Sequence, residues 1–144
     1  MKNKGFTLIE LLVVIAIITI LAGMVVSGAQ QARKRGAITK TKAQIASLET
    51  AISMYETDMG SYPGADNKTL VEAIANDPGD PSWSGPYMRV KKEELNENGE
   101  YADAWGNAFV YLNPGQNNPS FYDLYSKGPN GDGDGNDKDD IKNW

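Results

Sequence analysis

The chain has 144 residues, no Cys, no His and a formal net charge of −5 from 14 basic and 19 acidic residues. That length leaves room for one membrane helix and one small domain, and not for two domains. The absence of Cys excludes a disulfide framework, and the absence of His removes the commonest general base and transition-metal ligand. An acidic chain without a basic patch argues against a nucleic-acid partner.

The first apolar segment runs from Phe6 to Val26 and predicts a membrane-spanning helix. Four residues interrupt its apolar character: Thr7, Glu10, Thr19 and Gly23. As a helix the segment is about 32 Å long, which is enough to cross the hydrocarbon core of a bilayer. It is too long for the apolar part of a cleaved signal peptide, and no small-x-small cleavage site follows it. We therefore expect this segment to be retained.

Glu10 is a carboxylate inside this segment, and it leaves two interpretations open. At the centre of a membrane helix such a group costs about 2.5–3.5 kcal/mol on insertion scales, so it predicts a functional site with a partner. Because Glu10 lies close to the start of the segment, it also fits the membrane interface, where its side chain reaches water.

The N-terminal motif reads Gly5-Phe6-Thr7-Leu8-Ile9-Glu10 after a short basic leader. It resembles the class III leader and first helix of type IV pilins and type II secretion pseudopilins. The resemblance implies cleavage between Gly5 and Phe6 by a prepilin peptidase and N-methylation of the new terminus at Phe6. It also implies that Glu10 pairs with the Phe6 amine of a neighbouring subunit in a helical filament, which supplies a partner for the membrane carboxylate.

A second helical pattern continues the first. Its apolar residues recur at spacings of seven, three, four, three and four: Ile38, Ile45, Leu48, Ile52, Tyr55 and Met59. Such a stripe predicts a helix with one face packed against a domain, and we expect one helix from Phe6 to about Met59. The predicted division is a leader over 1–5, a transmembrane and filament-core helix over 6–29, and a head over 30–144. The family resemblance makes that head periplasmic.

Turn-forming residues at Gly60–Gly64 end the long helix. Asp66-Asn67 then offers an N-cap for a short helix over Lys68–Ala75. A Pro-, Gly- and Asp-rich loop is predicted over Asn76–Gly85. The highly charged segment Arg89–Ala102 follows, and we interpret it as solvated surface with a turn near its end.

Two segments predict strands, Phe109–Leu112 and Phe121–Ser126, because both are aromatic and aliphatic and are bounded by breakers. An antiparallel pair packed on the helix stripe gives an α+β head, with Trp105 predicted to fill its small core. Trp105 belongs to a segment, Asp103-Ala104-Trp105-Gly106-Asn107, that resembles the Asp-Pro-Trp-Gly-Asn segment of major pseudopilins of type II secretion. Here Ala104 replaces the proline.

Five aspartates near the C-terminus predict a bound cation: Asp132, Asp134, Asp137, Asp139 and Asp140. Clustered carboxylate and carbonyl oxygens suit Ca²⁺, which takes about six to eight oxygen ligands. An EF-hand matches poorly, because Ile141 stands where that loop has its bidentate glutamate. The alternative is an acidic solubilising tail, although Ile141 and Trp144 resemble anchors that hold the segment on the core.

The resemblance to major pseudopilins implies one structural Ca²⁺ in this segment. It places side-chain ligands at Asn130, Asp139 and Asp140, and backbone carbonyl ligands near Lys127 and Asp132. Asn130 departs from the family, which typically has Asp there, and the remaining aspartates are candidates to compensate for the lost charge. The predicted role of the metal is to fix the C-terminal loop, as a disulfide does in other pilins.

Together these observations predict a structural protein and not an enzyme, because no His, Cys or nucleophile motif supports catalysis. We expect the major subunit of a type II secretion pseudopilus, a homopolymer that drives export of folded proteins across the outer membrane. The resemblance implies an inner-membrane anchor and, as partners, a prepilin peptidase, minor pseudopilins and an inner-membrane assembly platform. The alternative is a type IV pilin that forms surface fibres for adhesion or motility.

Overall fold

The computed structural model describes residues 6–144, without the side chains of residues 25–27. The chain divides into two compact units, one ending at Gly36 and one spanning Ala37–Trp144. The predicted leader lies outside the described residues. The predicted boundary between residues 29 and 30 stays a prediction, and the compact units divide somewhat later in the sequence.

The long helix α1 spans Leu8–Met59, in agreement with the prediction. In the unit that ends at Gly36, its large apolar side chains from Leu8 to Met24 are exposed. An 18-residue stretch of α1 has a mean hydropathy of 2.9, so by length and composition this helix is a candidate to cross a membrane. An apolar surface of this kind needs lipid or other protein to cover it.

Within the head unit, α1 buries the stripe that the sequence predicted. Ile45, Leu48 and Ile52 are almost completely buried, and Ile38 and Tyr55 pack against the same core. Two polar residues of α1, Thr41 and Gln44, are also buried. The backbone N–H of Ala104 donates to Thr41 Oγ1 at 3.3 Å, and Gln44 Nε2 donates to the carbonyl of Ala102 at 3.0 Å. Helix α1 therefore holds the segment 102–104 by side-chain hydrogen bonds.

The short helix α2 spans Asn67–Ala75 and is capped by Asp66, whose Oδ1 accepts from the Thr69 N–H at 2.8 Å. Asn67 enters the core instead of capping. Its Nδ2 donates to the carbonyls of Tyr101 at 3.0 Å and Phe109 at 2.7 Å, and its Oδ1 accepts from the Tyr101 N–H at 2.7 Å. The buried amide thereby joins α2 to the segment that leads into the sheet.

Between α2 and the sheet the chain forms a loop, a 3₁₀ turn at Lys92–Glu94 and a tight turn. The tight turn is closed by a single β-bridge between Leu95 and Tyr101, and Asn96 N–H donates to the Glu100 carbonyl at 2.9 Å. The predicted turn in the charged segment is therefore confirmed.

The sheet has three short antiparallel strands in the order β1, β2, β3: Val110–Leu112, Asp123–Ser126 and Ile141–Lys142. Val110 lies opposite Tyr125, and Ser126 lies opposite Ile141. The first two strands confirm the α+β prediction, although both are shorter than predicted. The third strand was predicted only as an anchor at Ile141, which is buried.

The core of the head is built on Tyr111 and Phe109, packed against α1 and α2. Trp105, which was predicted to fill this core, is partly buried and packs against its edge. Phe109 and Tyr111 reach the centre of this core because side chains two residues apart along a strand point to the same face.

Candidate functional site

The C-terminal loop (residues 127–140) connects β2 to β3 and contains every predicted metal ligand. Because Ser126 and Ile141 face each other across the two strands, the loop begins and ends at one point of the sheet. Beyond β3, the Trp144 ring packs edge-on against Tyr125, with the ring centroids 5.8 Å apart. The predicted anchors Ile141 and Trp144 therefore fix the loop to the head.

The loop opens with a 3₁₀ turn at Gly128–Asn130, directly after Lys127. Asn130 Nδ2 donates to Asp139 Oδ1 at 3.3 Å, so the fold brings these two predicted ligands together. The Asn130 Oδ1 accepts from the Asp132 N–H at 2.9 Å. Calcium binds an amide through its oxygen, so ligation by Asn130 requires this amide to rotate.

Asp140 carries the most unusual oxygen of the loop. Its Oδ2 accepts from the Asp137 N–H at 2.9 Å, but its Oδ1 is buried without a hydrogen-bond partner among the described residues. A Cβ on Gly133 would lie 2.7 Å from this Oδ1, so glycine leaves room for the carboxylate. A buried carboxylate oxygen is unfavourable unless a donor or a cation satisfies it.

The loop aspartates also act on one another and on β2. Partial desolvation, followed by the charges of Asp140 and Asp134, raises the pKa of Asp137 above its ordinary value. Burial, followed by the same two charges, raises the pKa of the Tyr125 hydroxyl. On the cationic side, Lys142 Nζ donates to the Gly135 carbonyl at 2.9 Å. The loop therefore carries a negative field that disfavours further negative charge.

The donor chemistry of the loop fits calcium, since carboxylates, amide oxygens and carbonyls are the ligands this cation takes. No group of three or more carboxylates converges as a metal cluster in residues 6–144. The Asp132 side chain is exposed, and its Oδ1 accepts from the Gly133 N–H at 3.0 Å. The calcium site predicted around Asp139 and Asp140 therefore stays a prediction.

A buried carboxylate outside the loop, Asp103, holds the start of the loop in place. Its Oδ1 accepts from the N–H groups of Trp105 and Asn107, both at 2.9 Å. Its Oδ2 accepts from Ser126 Oγ at 2.6 Å. Sequence reasoning used Asp103 as part of a motif and missed this role, because the bond to Ser126 joins residues that are distant in the sequence.

At the other end of the chain, Glu10 lies beside Thr7, which directly precedes α1. Glu10 Oε2 accepts from the Thr7 N–H at 2.9 Å and the Thr7 hydroxyl at 2.8 Å, and the Glu10 N–H donates to Thr7 Oγ1 at 3.3 Å. This reciprocal capping box is visible in the sequence as Thr-x-x-Glu. Gly5 lies outside the described residues, and the pairing of Glu10 with Phe6 of another subunit stays a prediction.

Two family models together cover nearly the whole chain. The model "Type II secretion system (T2SS), protein G" matches residues 28–144. The chain belongs to this family. A second model, "Prokaryotic N-terminal methylation motif", matches residues 1–26.

Relatives of the protein G family match along almost the entire chain. The type II secretion system core protein G of Escherichia coli K12 is 36% identical over 149 residues, covering 99% of this chain and 92% of the relative. The core protein G of Pseudomonas aeruginosa PAO1 is 35% identical over 146 residues, covering 99% and 96%. A crystal structure of the major pseudopilin of the type 2 secretion system of enterohaemorrhagic E. coli is 25% identical, with a TM-score of 0.49, and covers 80% of this chain and 92% of that one.

As a protein G family member, the chain is a structural pseudopilin subunit of the type II secretion system and not an enzyme. This confirms the predicted function over the alternative of a type IV surface pilin. Membership of this family implies homopolymer assembly within that system, and the methylation motif implies a prepilin peptidase as a partner.

Proposed function

We propose that this protein is anchored in the inner membrane and polymerises into a helical periplasmic filament that drives export of folded proteins across the outer membrane. We further propose that calcium in the C-terminal loop stabilises the head for this assembly. Minor pseudopilins and an inner-membrane assembly platform complete the proposed set of partners. Contacts between subunits that do not close into a ring generate such a filament.

The proposed anchor and filament core is the helix over 6–29, which contains the apolar segment from Phe6 to Val26. Cleavage after Gly5 and methylation at Phe6 produce the mature terminus, and Glu10 then pairs with the Phe6 amine of the next subunit. The exposed apolar side chains of α1 support this proposal, because they need a lipid or protein environment. Before assembly, the Thr7 capping box gives Glu10 a partner within its own chain.

One observation carries the calcium proposal: the buried Asp140 Oδ1 has no hydrogen-bond partner among the described residues. A divalent cation bound by Asp139, Asp140, Asn130 and carbonyls near Lys127 and Asp132 gives this oxygen a partner. Since the cation binds the folded loop, it stabilises the folded state by about 4 kcal/mol at a concentration 1,000 times its dissociation constant.

Calcium titration of the full chain in detergent micelles, followed by thermal melting with and without chelator, tests this proposal. We expect calcium to raise the melting temperature and chelator to remove both the rise and filament formation. The double variant Asp139→Ala, Asp140→Ala is expected to melt at the same temperature in calcium and in chelator.

Glu10→Gln is the matched control, because it removes the proposed subunit contact and leaves the head unchanged. It should bind calcium and melt like the wild type while failing to form filaments. If chelator changes neither the melting temperature nor filament formation of the wild type, the calcium proposal is wrong and the loop is a solvated acidic surface.

A further inference from the structure

We propose that Asp103 is a positioning residue for calcium: through Ser126 and Asn107 it presets the first turn of the C-terminal loop, Lys127–Gly131. The inference rests on the proposed calcium function and goes beyond it, because Asp103 is outside the predicted ligand set. All of the contacts that carry it lie within the head unit.

The Asp103 carboxylate joins two parts of the head. It is 5% exposed and accepts three hydrogen bonds, two from the backbone of the turn 103–107 and one from the Ser126 hydroxyl at the end of β2. With both oxygens occupied by donors, Asp103 acts on the loop through its partners and not as a ligand. Hydrogen bonds to a charged acceptor are about twice as strong as neutral ones, so this junction is rigid.

Ser126 transmits this constraint to the loop. Its side chain is fully buried, and its single hydroxyl proton is donated to Asp103 Oδ2. The oxygen is thereby oriented to accept from the Gly128 N–H at 3.0 Å. Asn107, whose own N–H is held by Asp103, donates from Nδ2 to the Gly128 carbonyl at 2.9 Å. Both backbone polar groups of Gly128 are therefore fixed by residues that Asp103 holds.

The position of Gly128 matters because the far end of the loop packs directly against it. Gly128 has φ +66°, and a Cβ there would collide with the Asp139 carbonyl oxygen. A Cβ on Gly131 would lie 2.9 Å from Asn107 Oδ1. The first turn is thus enclosed between Asn107 and Asp139, which brings Asn130 to the Asp139 carboxylate. A loop ordered before binding avoids the entropy cost of ordering it on binding, so its affinity for the metal is higher.

Two substitutions interrupt this relay in different ways. Ser126→Ala removes the hydroxyl and leaves the Asp103 bonds to Trp105 and Asn107 intact. Asp103→Asn keeps the size of the side chain but directs an amide donor or a weaker neutral acceptor at Ser126. If the amide NH₂ of the Asp103→Asn variant faces Ser126, the Ser126 oxygen has to accept from this amide as well as from the Gly128 N–H. The amide then competes with the Gly128 N–H for the same oxygen.

The matched control is Asp123→Asn, the same chemical change at a second buried carboxylate, which lies on β2. Asp123 holds the loop 113–122 and makes no hydrogen bond to residues 127–140 among those described.

The measurement is isothermal titration of the full chain in detergent with calcium chloride, together with melting of each calcium-free variant. We expect Ser126→Ala and Asp103→Asn to bind calcium roughly 10- to 100-fold more weakly, as for residues that orient metal ligands. Asp123→Asn should keep the wild-type affinity while its calcium-free melting temperature falls.

The outcomes separate this inference from the calcium proposal. Absence of calcium binding by the wild type overturns both. Calcium binding by the wild type with unchanged affinity in Ser126→Ala overturns the positioning role alone. An equal loss of affinity in Asp123→Asn also overturns it, because the effect is then one of general stability. Should Asp103→Asn fail to fold, Ser126→Ala decides, since it loses a single hydroxyl.

Discussion

Two loops of the head are organised by buried aspartate oxygens, and they satisfy those oxygens in opposite ways. In the loop between β1 and β2 (residues 113–122), the fully buried Asp123 accepts from the N–H groups of Gln116, Asn117 and Asn118 at 2.7–2.9 Å. Asn117 Nδ2 adds a fourth donor at 3.2 Å. This loop is rich in donors and encloses one charge.

The C-terminal loop divides its donors among five aspartates. Asp132, Asp134, Asp139 and Asp140 each accept one hydrogen bond among the described residues. The buried Asp140 Oδ1 has no partner among the described residues, and desolvation together with the charges of Asp140 and Asp134 raises the pKa of Asp137. A carboxylate is stable inside a protein when the chain supplies donors, and it requires a cation when the chain does not. We therefore expect calcium to stabilise the C-terminal loop and to leave the stability of the loop 113–122 unchanged.

The largest loss of stability is expected for Asp123→Ala, which acts on the donor-rich loop (residues 113–122). The substitution leaves backbone N–H groups without their acceptor and should lower the free energy of unfolding by about 3 kcal/mol. Because this loop needs no cation, the loss should be equal in calcium and in chelator, as measured by urea unfolding of the full chain in detergent. A loss that appears only in calcium would show that the two loops are coupled.

Two glycine substitutions, one in each loop, are expected to have a smaller effect, and Gly133 has in addition a φ of +140° that strains any side chain. An added Cβ would lie 2.6 Å from Asp123 Oδ1 at Gly115 and 2.7 Å from Asp140 Oδ1 at Gly133. Each Gly→Ala change crowds a carboxylate and should cost about 1–3 kcal/mol. Gly115→Ala should lower the melting temperature equally with and without calcium, whereas Gly133→Ala should remove most of the rise caused by calcium. The same response from both variants would contradict the contrast between the loops.

The smallest expected effect is the loss of stability at acid pH that the donor-rich loop causes through Asp123. Burial alone would raise the pKa of Asp123, but hydrogen bonds from the Asn117, Asn118 and Gln116 backbone outweigh it and hold the pKa below its ordinary 3.8. Because the folded-state pKa is lowered, the stabilisation is present above pH 3.8 and is lost as pH falls through the folded value.

Asp123→Asn should therefore flatten the acid limb of the stability curve, measured in chelator from pH 5 downward. A variant whose stability falls as steeply as that of the wild type would assign the acid sensitivity to other carboxylates.

The parts of the fold that the sequence predicted are those that depend on neighbours within a few residues. The stripe through Leu48 and Ile52 and the cap at Asp66 follow from helical spacing, in which residues three or four apart share a face. The strands β1 and β2 were recognised from composition, but their ends were not, because pairing determines where a strand stops.

The candidate site divides in the same way. Its aspartates and glycines are visible in the sequence, and so is the resemblance that assigns them to calcium. The partnerless oxygen of Asp140 and the relay from Asp103 to Gly128 are not visible, because they depend on which segments the sheet places side by side.

The sequence by itself determined the apolar N-terminal segment, the long helix, the acidic composition of the C-terminal loop and the family, because these depend on local periodicity and motif. Only the tertiary structure decided that Ile141 forms a third strand, that Asn67 joins α2 to the sheet and that Asp103 holds the start of the loop. Each of these contacts joins residues far apart in the chain, and their hydrogen bonds form only when chain packing has removed water from both partners.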